Sequence, residues 1–240
     1  TAYLVGSPVY FYGPIYAGVD PEDGAPMWYL PAEKTETVVD PVTGKETTQT
    51  TILKDITTKD PSRVTKKYNE ESLTQNTGIR RHEPINGGFG ISGRYKNLSL
   101  RADFAYVLGK HLYNNDAYFY ANPNANLGDN QIKEVSDFWT PYNTNAKYPD
   151  WSKGYQMQFD THMLEDASFL RLKSLVVGYS LPQSWLRNQG VFKSVMITFT
   201  GRNLLTFTKY SGMDPEVDSN LTVGIPGNTL QVLGGIELKF

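Results

Sequence analysis

Cysteine is absent from the 240-residue chain, which excludes disulfide bridges, cysteine-based zinc sites and thiol catalysis. A surplus of positive charge is also absent, because 23 Lys and Arg stand against 25 Asp and Glu and the net charge is -2. The sequence therefore offers no strongly basic surface for nucleic acid. Long apolar runs are missing as well, and no run approaches the roughly 18 apolar residues of a membrane helix. Strands that cross a membrane would not show such runs, since only alternate residues face lipid.

Motifs of catalysis and metal binding are equally scarce. His82, His111 and His162 lie far apart and share no ligand spacing, so we expect no metal site. Residues 20–24 (DPEDG) lack the alternating oxygen ligands of a calcium loop and predict a proline-initiated turn instead. No serine lies in a Gly-x-Ser-x-Gly context, and nothing singles out a catalytic carboxylate pair. We expect neither an enzyme nor a bound cofactor.

The first 85 residues carry many Pro and Gly and are predicted to be mostly irregular. Short strands are expected at 27–30 and 48–52, a turn at 40–44 and a short helix within 59–71. The chain begins at Thr1 without a charged or apolar leader, which is expected of a mature protein, a fragment or one piece of a cleaved chain.

From residue 86 onwards apolar and polar residues alternate, as expected for strands with one apolar face. The pattern predicts five strands, within residues 86–95, 98–108, 168–180, 193–204 and 229–240. On the third strand it places Leu170, Leu172 and Val176 on the apolar face. If these strands cross a membrane, the residues expected to face lipid from the apolar side are Leu100, Ala102, Phe104, Val195, Ile197, Val232 and Ile236. The residues expected to face the lumen from the opposite side are Arg101, Asp103, Thr198 and Glu237.

The last predicted strand ends on an aromatic residue of its apolar face. Soluble antiparallel sheets also alternate, but bacterial outer-membrane barrels end in this way, because the terminal strand carries the recognition signal for the assembly machinery. Ile236, Leu238 and Phe240 are therefore the candidate assembly signal. Tyr179 and Trp185 are expected at a depth similar to that of Phe240.

The connections between the five strands run short, long, short, long. Outer-membrane barrels have short periplasmic turns and long external loops. If the long connections, residues 110–166 and 205–228, are external, then Phe240 falls on the periplasmic side, where the C-terminus of such a barrel must lie.

Several motifs resemble the C-terminal part of SusC/RagA-type TonB-dependent transporters. Residues 166–175 (DASFLRLKSL) and 178–182 (GYSLP) are similar to the family's ASFLRLKNL and GYTLP, and residues 201–216 (GRNLLTFTKYSGMDPE) to its NLLTFTKYSGYDPE. Residues 139–146 (WTPYNTNA) and 18–26 (GVDPEDGAP) resemble WTPENTNA and GVDPETGDP. The ordered motifs cover nearly the whole chain.

The resemblance implies an all-β fold: the C-terminal strands of a large antiparallel transmembrane barrel, with 22 strands in the intact family, and long external loops. Residues 1–85 would supply barrel strands and an external loop region, and residues 86–240 about five membrane strands. It also implies import of glycan or peptide fragments across the outer membrane of Bacteroidota. The implied partners are the remainder of the barrel with its N-terminal plug, a SusD-like surface lipoprotein as lid, the TonB complex and outer-membrane lipid. Five strands cannot close such a barrel, so both edge strands should pair with further protein.

Two questions stay open at this level. The first is a group of aromatic residues in the loop 110–166, which could bind a ligand, meet the lid protein or fold the loop onto itself; these candidates are Tyr113, Tyr118, Tyr120, Trp139, Tyr142, Tyr148 and Trp151. The second is the alternative of a soluble β-sandwich ligand-binding domain with similar alternation. A barrel piece would require detergent, whereas a sandwich would stay in solution without it.

Overall fold

The computed structural model describes residues 6–39, 45–187, 190–217, 219, 221–222 and 226–240. The predicted turn at 40–44 lies outside these residues. The chain divides into two compact units, the first made of residues 1–82 and 113–165 and the second of residues 83–112 and 166–240. None of the helices in the described ranges is long and apolar enough to cross a membrane.

The first unit begins with a series of short strands rather than the mostly irregular chain that its Pro and Gly content predicted. The strands are β1 Tyr10–Pro14, β2 Tyr16–Val19, β3 Pro26–Tyr29, β4 Ala32–Val39, β5 Glu46–Leu53, β6 Val64–Thr65 and β7 Thr74–Arg80. They form three small sheets, with orders β1-β7, β2-β3-β6 and β4-β5. A short helix was predicted within 59–71, and the structure has a single turn, α1 Glu70–Leu73, which overlaps that range only at its end. Asn69 caps this turn by accepting from the backbone N–H of Ser72.

The hairpin of β4 and β5 shows why these strands are hard to predict. Its strands pair in unbroken register from Ala32 opposite Leu53 to Val39 opposite Glu46. Every described residue of β5 except Leu53 is exposed, so neither face needs an apolar stripe. The threonine-rich sequence therefore carries β propensity without the alternation by which a half-buried strand is predicted.

The second part of the first unit, from residue 113 to 165, builds its core from irregular chain. It contains α2 Ala117–Tyr120 and three short 3-10 helices, Lys133–Ser136, Trp151–Lys153 and Thr161–Met163. Strands β10 His111–Tyr113 and β11 Leu164–Asp166 pair with each other. The buried core cluster of this segment consists of Ala117, Ala121, Tyr148, Met157 and Met163.

The second unit is one antiparallel sheet of five strands. They are β8 Ile85–Tyr95, β9 Leu98–Leu108, β12 Phe169–Ser180, β13 Ser194–Thr208 and β14 Gln231–Lys239, in the spatial order β14-β13-β12-β9-β8. The short connection after Tyr95 is a two-residue turn in which Lys96 has a φ of 52°. The antiparallel strands of both units confirm the predicted all-β fold. Within the described residues the sheet is not closed, because β8 and β14 each pair with one neighbour.

A β-bulge in β12 corrects one predicted side. Against β9 the pairing passes from Leu172 opposite Phe104 to Ser174 opposite Asp103, so β12 carries one extra residue, Lys173. Against β13 the same Lys173 stands opposite two residues, Asn203 and Leu204, so β13 is irregular there as well. A bulge reverses the sides of all residues that follow it. Leu170 and Leu172 lie on the apolar side as predicted, but Val176 stands opposite Arg101 on the polar side, and Leu175 and Val177 take its place.

Much of the apolar face of this sheet is exposed, although Leu172 near its centre is buried. Phe89 on β8 is 47% exposed, Ile197 on β13 is 46% exposed and Ile236 on β14 is 70% exposed. A β-sandwich would bury this face against a second sheet. The exposure therefore contradicts the alternative of a soluble sandwich and fits a sheet whose apolar face meets lipid.

Candidate functional site

The register of the second unit sorts its residues into an apolar and a polar side. Leu100 pairs with Val177, which pairs with Phe199, so the three lie in one row across three strands. All the residues that the sequence assigned to the apolar side share this side, namely Leu100, Ala102, Phe104, Val195, Ile197, Val232 and Ile236. Arg101, Asp103, Thr198 and Glu237 lie on the other.

Aromatic residues gather at the end of the sheet where the short turns lie. Tyr95 and Tyr179 belong to the same cross-strand row as Ile197 and Ile236. Trp185, in the helix α3 Gln183–Arg187 after Pro182, is 69% exposed. Such a belt is typical of residues at a membrane–water interface, where an aromatic ring lies half in the lipid.

The terminal strand places two of the three candidate assembly residues, Ile236 and Leu238, on the apolar side, and Phe240 follows directly after its end. Ile236 stands opposite Ile197 and Leu238 opposite Val195, and both are exposed. Phe240 is 70% exposed, and its ring lies 5.1 Å from that of Phe192. These residues form an open apolar edge rather than part of a core.

Most of the seven candidate aromatic residues of the loop pack inside the first unit. Tyr148 is 3% and Trp139 8% exposed, whereas Tyr142 is fully exposed. Partly buried aromatics that line the core of this segment are Tyr113, Tyr118, Tyr120 and Trp151. Burial raises the pKa of Tyr113 and of Tyr148 to about 12. The sequence could not distinguish the buried aromatic residues from the exposed one, because an irregular loop has no periodicity from which burial can be predicted.

Trp139, in the motif of residues 139–146, contacts the motif of residues 18–26. Its ring lies against Gly24, where a Cβ atom would come within 2.6 Å of it, and Gly24 has a φ of 72°. Its indole N–H donates to the carbonyl of Pro21. Gly24 closes the predicted turn by donating to the carbonyl of Asp20, and Lys66 forms ion pairs with Asp20 and Asp23. These contacts confirm the predicted turn at residues 20–24.

The described residues contain no group of acidic and histidine side chains that could hold a metal ion.

A buried polar group that sequence reasoning missed lies in the same unit. The Asp160 carboxylate accepts from the indole N–H of Trp28 at 2.6 Å and from the backbone N–H of His162 at 2.7 Å. The His162 ring stacks on Tyr16 at 4.8 Å. Burial raises the pKa of Asp160 to about 6 and lowers the pKa of His162 to about 4. Both groups therefore have a lower tendency to carry charge here than in water.

A second missed group joins the polar face of the sheet to the β13–β14 loop. Arg171 is only 3% exposed, and its guanidinium donates to Asp214, Glu216 and Thr206. Its ion pairs to Asp214 and Glu216 are each 2.6 Å long. Arg171 and its two acidic partners lie within motifs that the sequence resemblance rests on. The contact could not be predicted from the sequence, because more than 40 residues separate Arg171 from each acidic partner.

The chain is similar in sequence to several TonB-dependent receptors. It is 30% identical to TonB-dependent receptor P3 of Formosa agariphila over 165 residues, which cover 64% of this chain and 16% of that protein. It is 27% identical to TonB-dependent receptor SusC of Bacteroides thetaiotaomicron over 150 residues, which cover 61% of this chain and 14% of SusC. No protein-family model matches the chain.

Solved structures extend the similarity to the whole chain. The structure described as the RagAB peptide transporter matches with a TM-score of 0.75 and 37% identity, covering 99% of this chain and 24% of the matched chain. The RagAB peptide importer in the closed-closed state matches with a TM-score of 0.76 and the same identity. The chain therefore spans about a quarter of the length of these structures and a sixth or less of the sequence relatives.

Proposed function

We propose, on the premise that this chain belongs to the SusC/RagA type of TonB-dependent transporters and represents part of their barrel, that it forms a section of wall in an outer-membrane nutrient importer. One observation carries the proposal. The five-stranded sheet exposes much of an apolar face and presents polar side chains on its other face, and within the described residues each of its edge strands, β8 and β14, pairs with one neighbour only. That combination suits a sheet between lipid and a water-filled lumen, and it suits few other environments.

The cargo and partners of the whole transporter extend this proposal. We propose that it imports glycan or peptide fragments, with a SusD-like lipoprotein as lid at the surface and the TonB complex as the source of force. The matched RagAB structures are described as peptide transporters and importers, which favours peptides. No enzymatic activity is proposed, because the named relatives are receptors and transporters.

The orientation follows from the lengths of the connections. We propose that the segment from residue 110 to 166 and the β13–β14 loop are external and that Phe240 is periplasmic. Among the loop aromatics, Tyr142 is the most suitable for contact with cargo or lid, because its side chain is fully exposed. Tyr118 and Phe159 stack at 5.0 Å, and Phe159 is 48% exposed, so this pair is the second candidate surface.

Two neighbouring residues of β13 test the wall. In the whole transporter we expect Phe199→Arg to lower the amount of inserted barrel strongly, because Phe199 lies on the apolar side, deeper than the row of Tyr95 and Tyr179, and a charge on the lipid face costs up to about 2–4 kcal/mol towards the bilayer midplane. Thr200→Arg, one residue away on the polar side, should insert normally. The measurement is the fraction of protein in the outer membrane that migrates as a folded, heat-modifiable band. Equal insertion of the two variants would contradict the assignment of sides.

Uptake tests the cargo. Cells that depend on the intact transporter are given labelled oligopeptides or labelled oligosaccharides, and a strain without the transporter is the control. We expect oligopeptide uptake that requires both the transporter and TonB. Uptake of oligosaccharides alone would redirect the proposal to glycans, and uptake of neither class would contradict a nutrient importer of this kind.

A further inference from the structure

The β13–β14 loop is held on the polar face of the sheet by one buried arginine. Arg171 extends from β12, and its guanidinium uses three nitrogens on three acceptors: Nη2 on Asp214, Nη1 on Glu216 and Nε on Thr206. Thr206 belongs to the wall strand β13, whereas Asp214 and Glu216 belong to the loop. Arg171 therefore joins wall and loop in one planar, charge-assisted arrangement.

Asp214 in turn ties together two distant parts of the loop. One carboxylate oxygen accepts from the backbone N–H of Glu216 at 2.9 Å, and the other accepts from the backbone N–H of Asn228 at 2.7 Å. Gly227 leaves room for this contact, since a Cβ atom there would lie 2.9 Å from the Cβ of Asp214. The Asn228 amide also donates to Glu216. Both described ends of the loop, residues 209–217 and 226–230, thus meet at the carboxylates that Arg171 holds.

The bulge at Lys173 completes the group. Lys173 forms an ion pair with Glu216, so two cations of β12 face two anions of the loop and the group is neutral. In a regular strand Leu175 and Val177 would lie on the same polar side as Arg171 and Lys173. The bulge lets Arg171 and Lys173 reach the loop while Leu175 and Val177 return to the apolar side.

We propose that Arg171 is the positioning residue of this loop: it fixes residues 209–217 and 226–230 against the polar wall, so that a single side chain of β12 sets the conformation of the β13–β14 connection. A buried charge left without its partner is costly, whereas removal of both charges is far less so. The proposal rests on the proposed function only where it places this loop at the external mouth of the barrel, beside the path of the cargo.

Hydrogen–deuterium exchange of the full-length transporter in detergent tests this. In Arg171→Met we expect exchange in residues 209–217 and 226–230 to rise at least about tenfold, because several charge-assisted hydrogen bonds are lost together. Amides of β9 and β13 should be unchanged. The matched control is Arg101→Met, which removes an arginine from the same polar face. Arg101 forms an exposed ion pair with Asp103 and has no hydrogen bond or ion pair to the described residues of the loop.

A double variant separates positioning from general stability. Arg171→Met with Asp214→Asn should raise loop exchange by less than the product of the two single effects, because neither partner is left charged alone. If Arg171→Met does not insert, Glu216→Gln gives the test, and its loop exchange should also rise. Unchanged loop exchange, an effect equal to that of Arg101→Met, or a uniform rise through the whole sheet would each overturn the proposal. All these outcomes are independent of whether cargo is transported.

Discussion

Phe240 is the residue whose role can be tested most directly. Its side chain is exposed and contacts the ring of Phe192, so its removal costs little packing. We expect Phe240→Ala to reduce the amount of inserted barrel several-fold, because Phe240 belongs to the assembly signal that the sequence predicts, and to leave uptake per inserted molecule unchanged. Surface protein is measured by protease accessibility, and uptake is normalised to it.

Lys239→Ala is the control for Phe240→Ala, since Lys239 neighbours Phe240 and its ion pair with Glu237 is exposed. That variant should insert at the normal level. A Phe240→Ala protein that reaches the surface normally but has lost uptake would show that the aromatic ring acts in transport, and the assembly role would be wrong.

Asp160 and His162 predict an unusual pH dependence within the first unit. Burial raises the pKa of Asp160 from 3.8 to about 6, so its contribution to stability is present below pH 3.8 and is lost as the pH rises through 6. Burial, with Lys147, lowers the pKa of His162 from 6.5 to about 4, so its contribution is present above pH 6.5 and is lost as the pH falls through 4. Between these values the two changes oppose each other.

His162→Phe should therefore expose the titration of Asp160. Phenylalanine can keep the stacking on Tyr16 but does not titrate. We expect local stability around residues 160–163 to be nearly constant from pH 4 to 6.5 in the wild type and to fall by on the order of 2–3 kcal/mol in the variant. Hydrogen exchange, corrected for its intrinsic pH dependence, gives this quantity. Parallel pH profiles for the two proteins would contradict the assignment.

The bulge of β12 is the element on which the sidedness of the sheet depends. Deletion of Lys173 would remove the extra residue and turn Val176, Gly178 and Ser180 towards the apolar side. We expect this deletion to abolish insertion of the barrel, measured as the heat-modifiable band in the outer membrane. Lys173→Ala keeps the backbone and loses only the ion pair with Glu216, so it should insert. Normal insertion of the deletion would show that the register can adjust.

The bulge also shows a limit of predicting strands and their sides from the sequence. Alternation predicted all five strands of the second unit to within a few residues, because one apolar face leaves a period of two in the sequence. A single inserted residue has no such signature, so Val176 was placed on the wrong side. In the first unit the predicted strands at 27–30 and 48–52 correspond to β3 and β5, whereas the other strands were missed; β4, for example, is exposed on both faces and has no apolar stripe. The Arg171 group was missed because its partners are 43 and 45 residues away.

At the scale of the molecule, the five-stranded sheet has two faces suited to a membrane wall and two edge strands that lack a second neighbour among the described residues. Its two faces suit lipid and lumen, but β8 and β14 leave rows of backbone N–H and C=O groups unpaired among the described residues. In a bilayer each unpaired group costs several kcal/mol, which only a neighbouring strand can remove. The proposed wall therefore requires a neighbouring strand at each of its two edges.

This requirement gives a test of the whole assembly. Directed to the outer membrane alone, the 240-residue chain should not form a folded, heat-modifiable species, because five strands cannot close around a lumen. Supplied together with the remaining barrel strands as a second chain, it should migrate with them in one detergent-resistant species. A variant with Val232→Arg on β14 is the control that should not assemble in either case, since its charge would face lipid near the middle of the sheet, in the row of Leu175 and Ala102. A folded species formed by the 240-residue chain alone would show that β8 and β14 can satisfy each other, and the open-wall arrangement would be wrong.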